Sequence, residues 1–476
     1  MHKPLFPVPI LKFKSSHIAL AALAIALTSC KLIGPDHTTP ESEGADRYKN
    51  ASTAFSSRMS KSWWRTFGDS KLNSLMSDLD KGNFDLRAAE ARRNQAYAAL
   101  GVDRSRLFPE VLSQASATRN RGTESERGAV FGRLDPYFNQ YQVGMSLGYE
   151  VDLWGRVRRI VEAGRANAEA AEVSLDQVKL SLQAQLASSY FAMRFLDSEA
   201  ETLRASLKTR QESLDLAKDL FESGKSSELD VARAEAQLAN AKAQLVALQG
   251  PRASFENAVA VLAGKNPSNF TINPNAIARS APAVSAGSPV ELLGRRPDVF
   301  VAERQLAATS AGIGIAKADF YPRISLIGSG GFSSVDPSDF LKHSSREFSV
   351  GPQIDLPLFQ GLRRNADYAA AKARHEEALA NYQQTVLTAF ADVENALAAR
   401  RAAIREITAL QESIAASQKA YDLSNARYKE GVASYLEVID SQRELLAAEL
   451  SEVQVRGRSF TATVQLMQAL GGGFSR

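Results

Sequence analysis

From Leu362 to Glu430 the chain carries neither glycine nor proline. Those 69 residues can run as one helix of about 100 Å at 1.5 Å per residue, longer than a globular domain is wide. The same feature occurs earlier, because no proline lies between Pro136 and Pro251, and a matching helix is expected over about 156–223. In it Leu186, Met193, Ala200, Leu207, Leu214 and Phe221 recur every seven residues beside the stripe Leu175, Leu182, Ser189, Leu196 and Leu203, a heptad seam. A chain of this kind forms long antiparallel helical hairpins.

The two long helices belong to two copies of one plan. FESGKSSELDV at 221–231 is echoed by YKEGVASYLEV at 428–438, an offset of 207 that also carries Asp215 onto Asp422, Leu238 onto Leu445 and Gly264 onto Gly471. Upstream the offset is 213, taking Glu90, Gly101 and Pro109 onto Glu303, Gly314 and Pro322, so a loop differs in length between the copies. In each echo a glycine, Gly224 or Gly431, suits the left-handed position that ends a helix. Ser227 with Asp230 and Ser434 with Glu437 then cap the returning helices over 228–263 and 435–470, the first of which Pro251 should kink. Each copy is thus the tip of a hairpin. Shorter helices are expected near 83–107 and 298–318, and the first of these stacked on 228–263 would match a long helix in length. Residues 265–297, rich in Pro, Asn and Ser, form a linker with a short capped helix from Ser288.

Between short and long helices the period changes to two. In YQVGMSLGYEVDL the odd positions Tyr141, Val143, Met145, Leu147, Tyr149, Val151 and Leu153 are all apolar, which argues for a strand. Phe348 to Leu358 repeats the pattern, weakened by Pro352 and Pro357, and partners are expected at 109–120 and 322–334. Four strands of this length can cross an outer membrane but cannot close a barrel, and lipid does not tolerate open edges, so copies must associate. Two copies would give a barrel filled by its own side chains, and three a lumen. A small soluble sheet packed on helices is the alternative.

The N-terminus reads as a leader. Lys3, Lys12 and Lys14 precede the apolar run Ile18–Leu27 and then LTSC, so residues 1–29 form a signal peptide and Cys30, the only cysteine, becomes a lipidated N-terminus. Lys31 after it, rather than an acid, favours the outer membrane. Without its three lysines the mature chain has 54 basic and 53 acidic residues; no basic stripe remains to bind nucleic acid. Mean hydropathy is −0.22, and no later apolar run is long enough for a membrane helix. Two of the five histidines fall in the leader, His37, His343 and His375 are dispersed, and no phosphate loop, zinc spacing or nucleophile elbow occurs, so no enzyme, cofactor or metal site is expected.

The motifs CKLIGPD with Pro40, SWWRTFGD, KGNFDLRAAEAR, YEVDLWGRVRR, GRRPDVFVAERQL and PLFQGLRR, in this order and with both tips, resemble the TolC-like outer-membrane factors, in the lipoprotein branch serving tripartite efflux pumps. The resemblance covers nearly the whole mature chain. It implies a homotrimer with a twelve-stranded barrel in the outer membrane, a helical tunnel through the periplasm and an equatorial belt, working with a periplasmic adaptor and an inner-membrane transporter of the resistance-nodulation-division type. The implied domains are an N-terminal segment 30–82, repeat one at 83–264, the equatorial linker 265–297, repeat two at 298–471 and a tail at 472–476. By the same resemblance Tyr428, Lys429, Glu437 and Asp440 match a periplasmic gate, although Ala433 stands where some members carry arginine. The tips, with Gly224, Ser227, Leu229, Gly431, Ser434 and Leu436, would dock the adaptor. The other readings are a coiled-coil lipoprotein that bridges envelope layers without transport, or a duct of another secretion pathway.

Overall fold

The computed structural model describes residues 32–40, 47–50, 59–122 and 137–474. Signal peptide and Cys30 lie outside the described residues. Mainly helical, with one four-stranded antiparallel sheet, the chain has the fold class its sequence indicates. It divides into two compact units. One comprises Met1–Pro40, Asn94–Glu169 and Glu303–Ala380, the other Glu41–Arg93, Ala170–Ala302 and Asn381–Arg476.

The first unit holds the sheet. Strands β1 (Glu110–Arg121), β2 (Tyr137–Glu150), β3 (Arg323–Ser334) and β4 (Arg346–Asp355) pair in sequence order. The register sorts the side chains by face. On one side Val111 pairs with Leu147, Ala115 with Val143, Val143 with Phe332 and Tyr149 with Leu326. On the other Ser116 pairs with Gln142, Ser146 with Ser329 and Ser329 with Ser349. The polar face includes a site where two strands nearly touch: a Cβ on Gly331 would come within 2.2 Å of the Val143 carbonyl oxygen, so glycine alone fits. Pro352 lies opposite Leu326 on β4, an edge strand among the described residues, which is where a sheet tolerates proline. The apolar row of β2 stops short of expectation. The strand ends at Glu150, because Asp152 instead accepts from the N–H groups of Val157 and Arg158 and starts the next helix.

That helix and its repeat are the long ones, 67 residues each and about 100 Å. The shorter helices are α1 (Ser70–Gly82) and α2 (Phe84–Ser105), and α3 (Arg156–Glu222) is the first long one. It returns as α4 (Glu228–Ala247) and α5 (Gln249–Leu262). After the linker come α6 (Pro289–Leu293), α7 (Pro297–Ala318), α8 (Arg363–Lys429) and α9 (Tyr435–Ala469). The break between α4 and α5 falls at Leu248, three residues before Pro251, because proline has no N–H to offer the carbonyl of Ala247. In the repeat α9 runs unbroken. Ser288 precedes α6, but its side chain makes no capping bond, so the short helix rests on Pro289 alone for its start.

The second unit shows how the copies keep one architecture with different chemistry. Asn83 caps α2 by accepting from the Leu86 N–H at 2.9 Å, and its amide donates to the Leu262 carbonyl at the end of α5. Position 296 is the repeat of 83, and 469 of 262; Arg296 donates to the Ala469 carbonyl at 3.1 Å. In each copy a helix end is tied to the start of the shorter helix. The core alongside gathers Trp63, Leu72, Leu75, Met76, Leu79, Leu186, Tyr190 and Met193. Along the predicted seam Leu186, Met193 and Leu214 are buried, whereas Phe221 is 44% exposed because it lies in the last turn, beyond the α4 residues that cover Leu214.

Candidate functional site: the paired hairpin tips

Both long helices end by the same local chemistry. Gly224 and Gly431 have φ of 74° and 75°, and their N–H groups donate to the carbonyls of Phe221 and Tyr428, both at 2.9 Å. The next N–H, of Lys225 or Val432, reaches back to Leu220 or Arg427 at 2.8 and 3.0 Å. This is the paired closure that a left-handed residue permits. A Cβ on either glycine would meet only open space, so the constraint is backbone conformation.

The returning helices start on serine. Ser227 Oγ accepts from the Asp230 N–H at 3.3 Å, and Asp230 Oδ2 accepts from the Ser227 N–H at 3.5 Å. Glu437 likewise accepts from the Ser434 N–H at 3.4 Å. Leu229 and Leu436, one residue into each helix, are exposed, as is Val432. Each tip thus presents an apolar side chain beside freed backbone.

The two tips touch each other. Tyr428 is 5% exposed, its ring 5.1 Å from that of Tyr435, and its hydroxyl is 3.3 Å from Ser226 Oγ in the first tip. Around them Leu214, Ala217, Ala234, Leu238, Val438 and Ile439 form a small core. Burial raises both phenols, Tyr435 to about 12. Of the four residues matched to a gate, Tyr428 therefore belongs to the contact between tips, and Glu437 is engaged in capping. Lys429 and Asp440 are exposed; Asp440 approaches Arg443 only loosely, at 3.9 Å, and Lys429 forms no ion pair among the described residues.

Behind this core lies a polar layer that heptad reasoning did not find. Arg210, 5% exposed, donates to Gln237 Oε1 at 2.8 Å and to Ser206 Oγ at 3.1 Å, and Arg443 donates to the same Gln237 oxygen at 3.4 Å. Gln442 donates to Ser213 Oγ at 2.8 Å, and Ser424 and Ser441 share a bond of 2.7 Å. Burial and then the charge on Arg443 lower the pKa of Arg210. The signal was present as Arg210, which follows Leu203 by seven residues and puts a charge in the second stripe.

Residues 75–265 and 288–472 match the family described as Outer membrane efflux protein. The solvent efflux pump outer membrane protein SrpC of Pseudomonas putida is 34% identical over 413 residues, 86% of this chain and 87% of its own. The cation efflux system protein CusC of Escherichia coli O157:H7 is 27% identical, with 95% and 98% covered. Among solved structures the outer-membrane channel OprN superposes with a TM-score of 0.87 at 34% identity, over 92% of this chain and 99% of that one. Sequence motifs, helical hairpins and membrane-type strands agree, and the chain belongs to the outer membrane efflux protein family.

Proposed function

We propose that three copies assemble into an export duct of a tripartite efflux system, carrying small toxic compounds from a periplasmic adaptor and an inner-membrane transporter of the resistance-nodulation-division type to the exterior. The observation that carries this reading is the sheet: one mainly apolar face, one face mainly of serine, glutamine and glycine, and two edges, β1 and β4, without a partner among the described residues. Three such sheets joined edge to edge would give twelve strands with lipid outside and a polar lumen. SrpC is named for solvents and CusC for cations, so one architecture serves dissimilar cargo, as expected where selection lies with the pump. Purified protein should run as a heat-modifiable trimer and conduct ions in planar bilayers. A monomer without conductance would leave the bridging lipoprotein as the better reading.

The tips, with Gly224, Ser227, Leu229, Gly431, Ser434 and Leu436, would meet the adaptor, since exposed leucines and freed backbone permit close approach. Replacing both glycines by leucine places a branched side chain in a left-handed conformation, costing roughly 1–2 kcal/mol each. Crosslinking to the adaptor is expected to fall while trimers persist, and undiminished crosslinking would reduce the glycines to helix terminators.

Cys30 is the proposed lipidation site. Cys30→Ser should abolish palmitate labelling, with the barrel still holding most of the protein in the membrane, because a closed set of strands binds more firmly than acyl chains. Persistent labelling would overturn the assignment.

A further inference from the structure

The two strand-to-helix junctions of the first unit are repeats of each other, yet among the described residues only one is covered. After β2 the junction is packed by the chain's own N-terminal strap. Trp154 Nε1 donates to the Pro322 carbonyl at 2.7 Å and its ring lies 4.9 Å from Tyr321. Ile33 N–H donates to the Trp154 carbonyl at 3.3 Å, and Leu32 lies so close to Gly155, at φ 79°, that a Cβ there would be 2.6 Å from its side chain. Arg159, 1% exposed, pins the strap through the Ile33 carbonyl and Asp36.

After β4 the equivalent stretch, PLFQGLRR, is bare. Leu358 is 90% exposed, Phe359 86% and Leu362 73%. Leu362 is also the one non-glycine residue with positive φ, 64°, among the described residues. A branched side chain held in a disfavoured conformation and turned to solvent needs a compensating environment. Two features indicate which. Phe348, Val350, Pro352 and Ile354 form the apolar row of β4, outward in the barrel reading, and Leu356 and Leu358 continue it past the end of the strand. Directly after the apolar cluster come Arg363, exposed and only loosely paired with Asp367 at 3.5 Å, and Arg364, which makes no ion pair among the described residues.

We propose that this junction is a seat for a glycerophospholipid of the inner leaflet of the outer membrane, with acyl chains against Leu358, Phe359 and Leu362 and an anionic headgroup phosphate on Arg363 and Arg364. The inference rests on the barrel reading above. A second copy joining the β4 edge would bond in the plane of the sheet and leave the outward row free, which is why lipid is favoured over protein as the occupant. The arginines sit at the depth where apolar side chains give way to charge, the position of headgroups. In the first junction the strap fills the corresponding place, so no lipid is needed there.

The test uses the full chain in nanodiscs, with a spin label on Phe359→Cys and, separately, on Val350→Cys, and unsubstituted protein as the blank for Cys30. The expected result is high accessibility to oxygen and low accessibility to a water-soluble nickel chelate at both positions. If Val350 behaves so but the Phe359 label is shielded from both reagents, a second copy covers the junction and the proposal is wrong; if the Phe359 label is open to nickel, it is wrong in favour of water. A Val350 label open to nickel would instead overturn the barrel reading, and the seat with it. In parallel, Arg363→Gln with Arg364→Gln should lower retention of phosphatidylglycerol, seen by native mass spectrometry, about tenfold or more, since each arginine near a headgroup is worth on the order of a factor of five. Phosphatidylcholine should be much less affected. Unchanged phosphatidylglycerol retention would remove the arginines from the seat and overturn the proposal.

Discussion

Combining Lys429→Ala with Asp440→Ala is expected to raise single-channel conductance several-fold in correctly trimeric protein and to sensitise cells to large antibiotics. Both side chains are exposed in the protomer, and among the described residues Asp440 is held by nothing stronger than a 3.9 Å approach to Arg443. In the proposed trimer they would be free to meet charges of neighbouring copies around a closed aperture. Each such pair contributes about 0–1 kcal/mol, so three symmetric copies would hold the closed state by up to about 3 kcal/mol, a shift of up to about 150-fold in the ratio of open to closed. That is within reach of an adaptor that binds the open form better. Tyr428 and Glu437, proposed for the same gate, are poorer test sites. Removing the Tyr428 hydroxyl would loosen the bond to Ser226 between the two tips, and removing the Glu437 carboxylate would uncap α9, so either could change conductance through folding. Conductance equal to wild type in the double variant would rule out the gate.

Asp197→Ala should have the largest effect on stability. Its carboxylate, almost wholly buried, accepts from Arg194 at 3.1 Å, Arg252 at 2.6 Å and the Asn275 N–H at 3.0 Å. The same arginines reach the carbonyls of Asn273 and Ile272. One acid therefore ties α3, α5 and the linker together. Removing it leaves the almost fully buried Arg194 without its carboxylate, while Arg252 keeps Glu256 at 3.5 Å, for a loss of about 3–5 kcal/mol. Asp197→Asn keeps the shape and should lose nearly as much, which would show that charge matters more than volume. The measurement is the urea midpoint of the helical signal and the temperature at which trimers dissociate on gels. A midpoint within error of wild type would mean that water replaces the carboxylate without loss.

Much of this was legible because it is local. Helix length follows from where Gly and Pro are missing, tips from Gly224 and Gly431 with their serine caps, and strands from alternation, so each could be placed within a few residues. What depends on contacts between distant segments was not legible. The equivalence of Asn83 and Arg296 is hidden because an amide and a guanidinium look unrelated in sequence, although both donate to the last carbonyls of a helix. Arg210 stands seven residues after Leu203, where the stripe calls for an apolar side chain, but that Gln237 and Ser206 take up its charge depends on the packing of the hairpin. Phe221 fits the heptad by spacing, but spacing does not tell where the covering helix has ended. Pro251 announced a disturbance; that the break lies at Leu248 follows from which carbonyl loses its donor.

The break has a mechanical meaning. One returning arm is a jointed pair, α4 and α5, and the other, α9, is a single rod of 35 residues. At Leu248, still in right-handed helical geometry, a push on the first tip would meet the place where the ladder lacks the bond that Pro251 cannot make. The same push on the second would meet no such gap and be passed along its whole length. In a ring of three copies, compliant and stiff arms would then alternate, and any opening driven from outside would be steered by the compliant three while the stiff three kept the bore in shape.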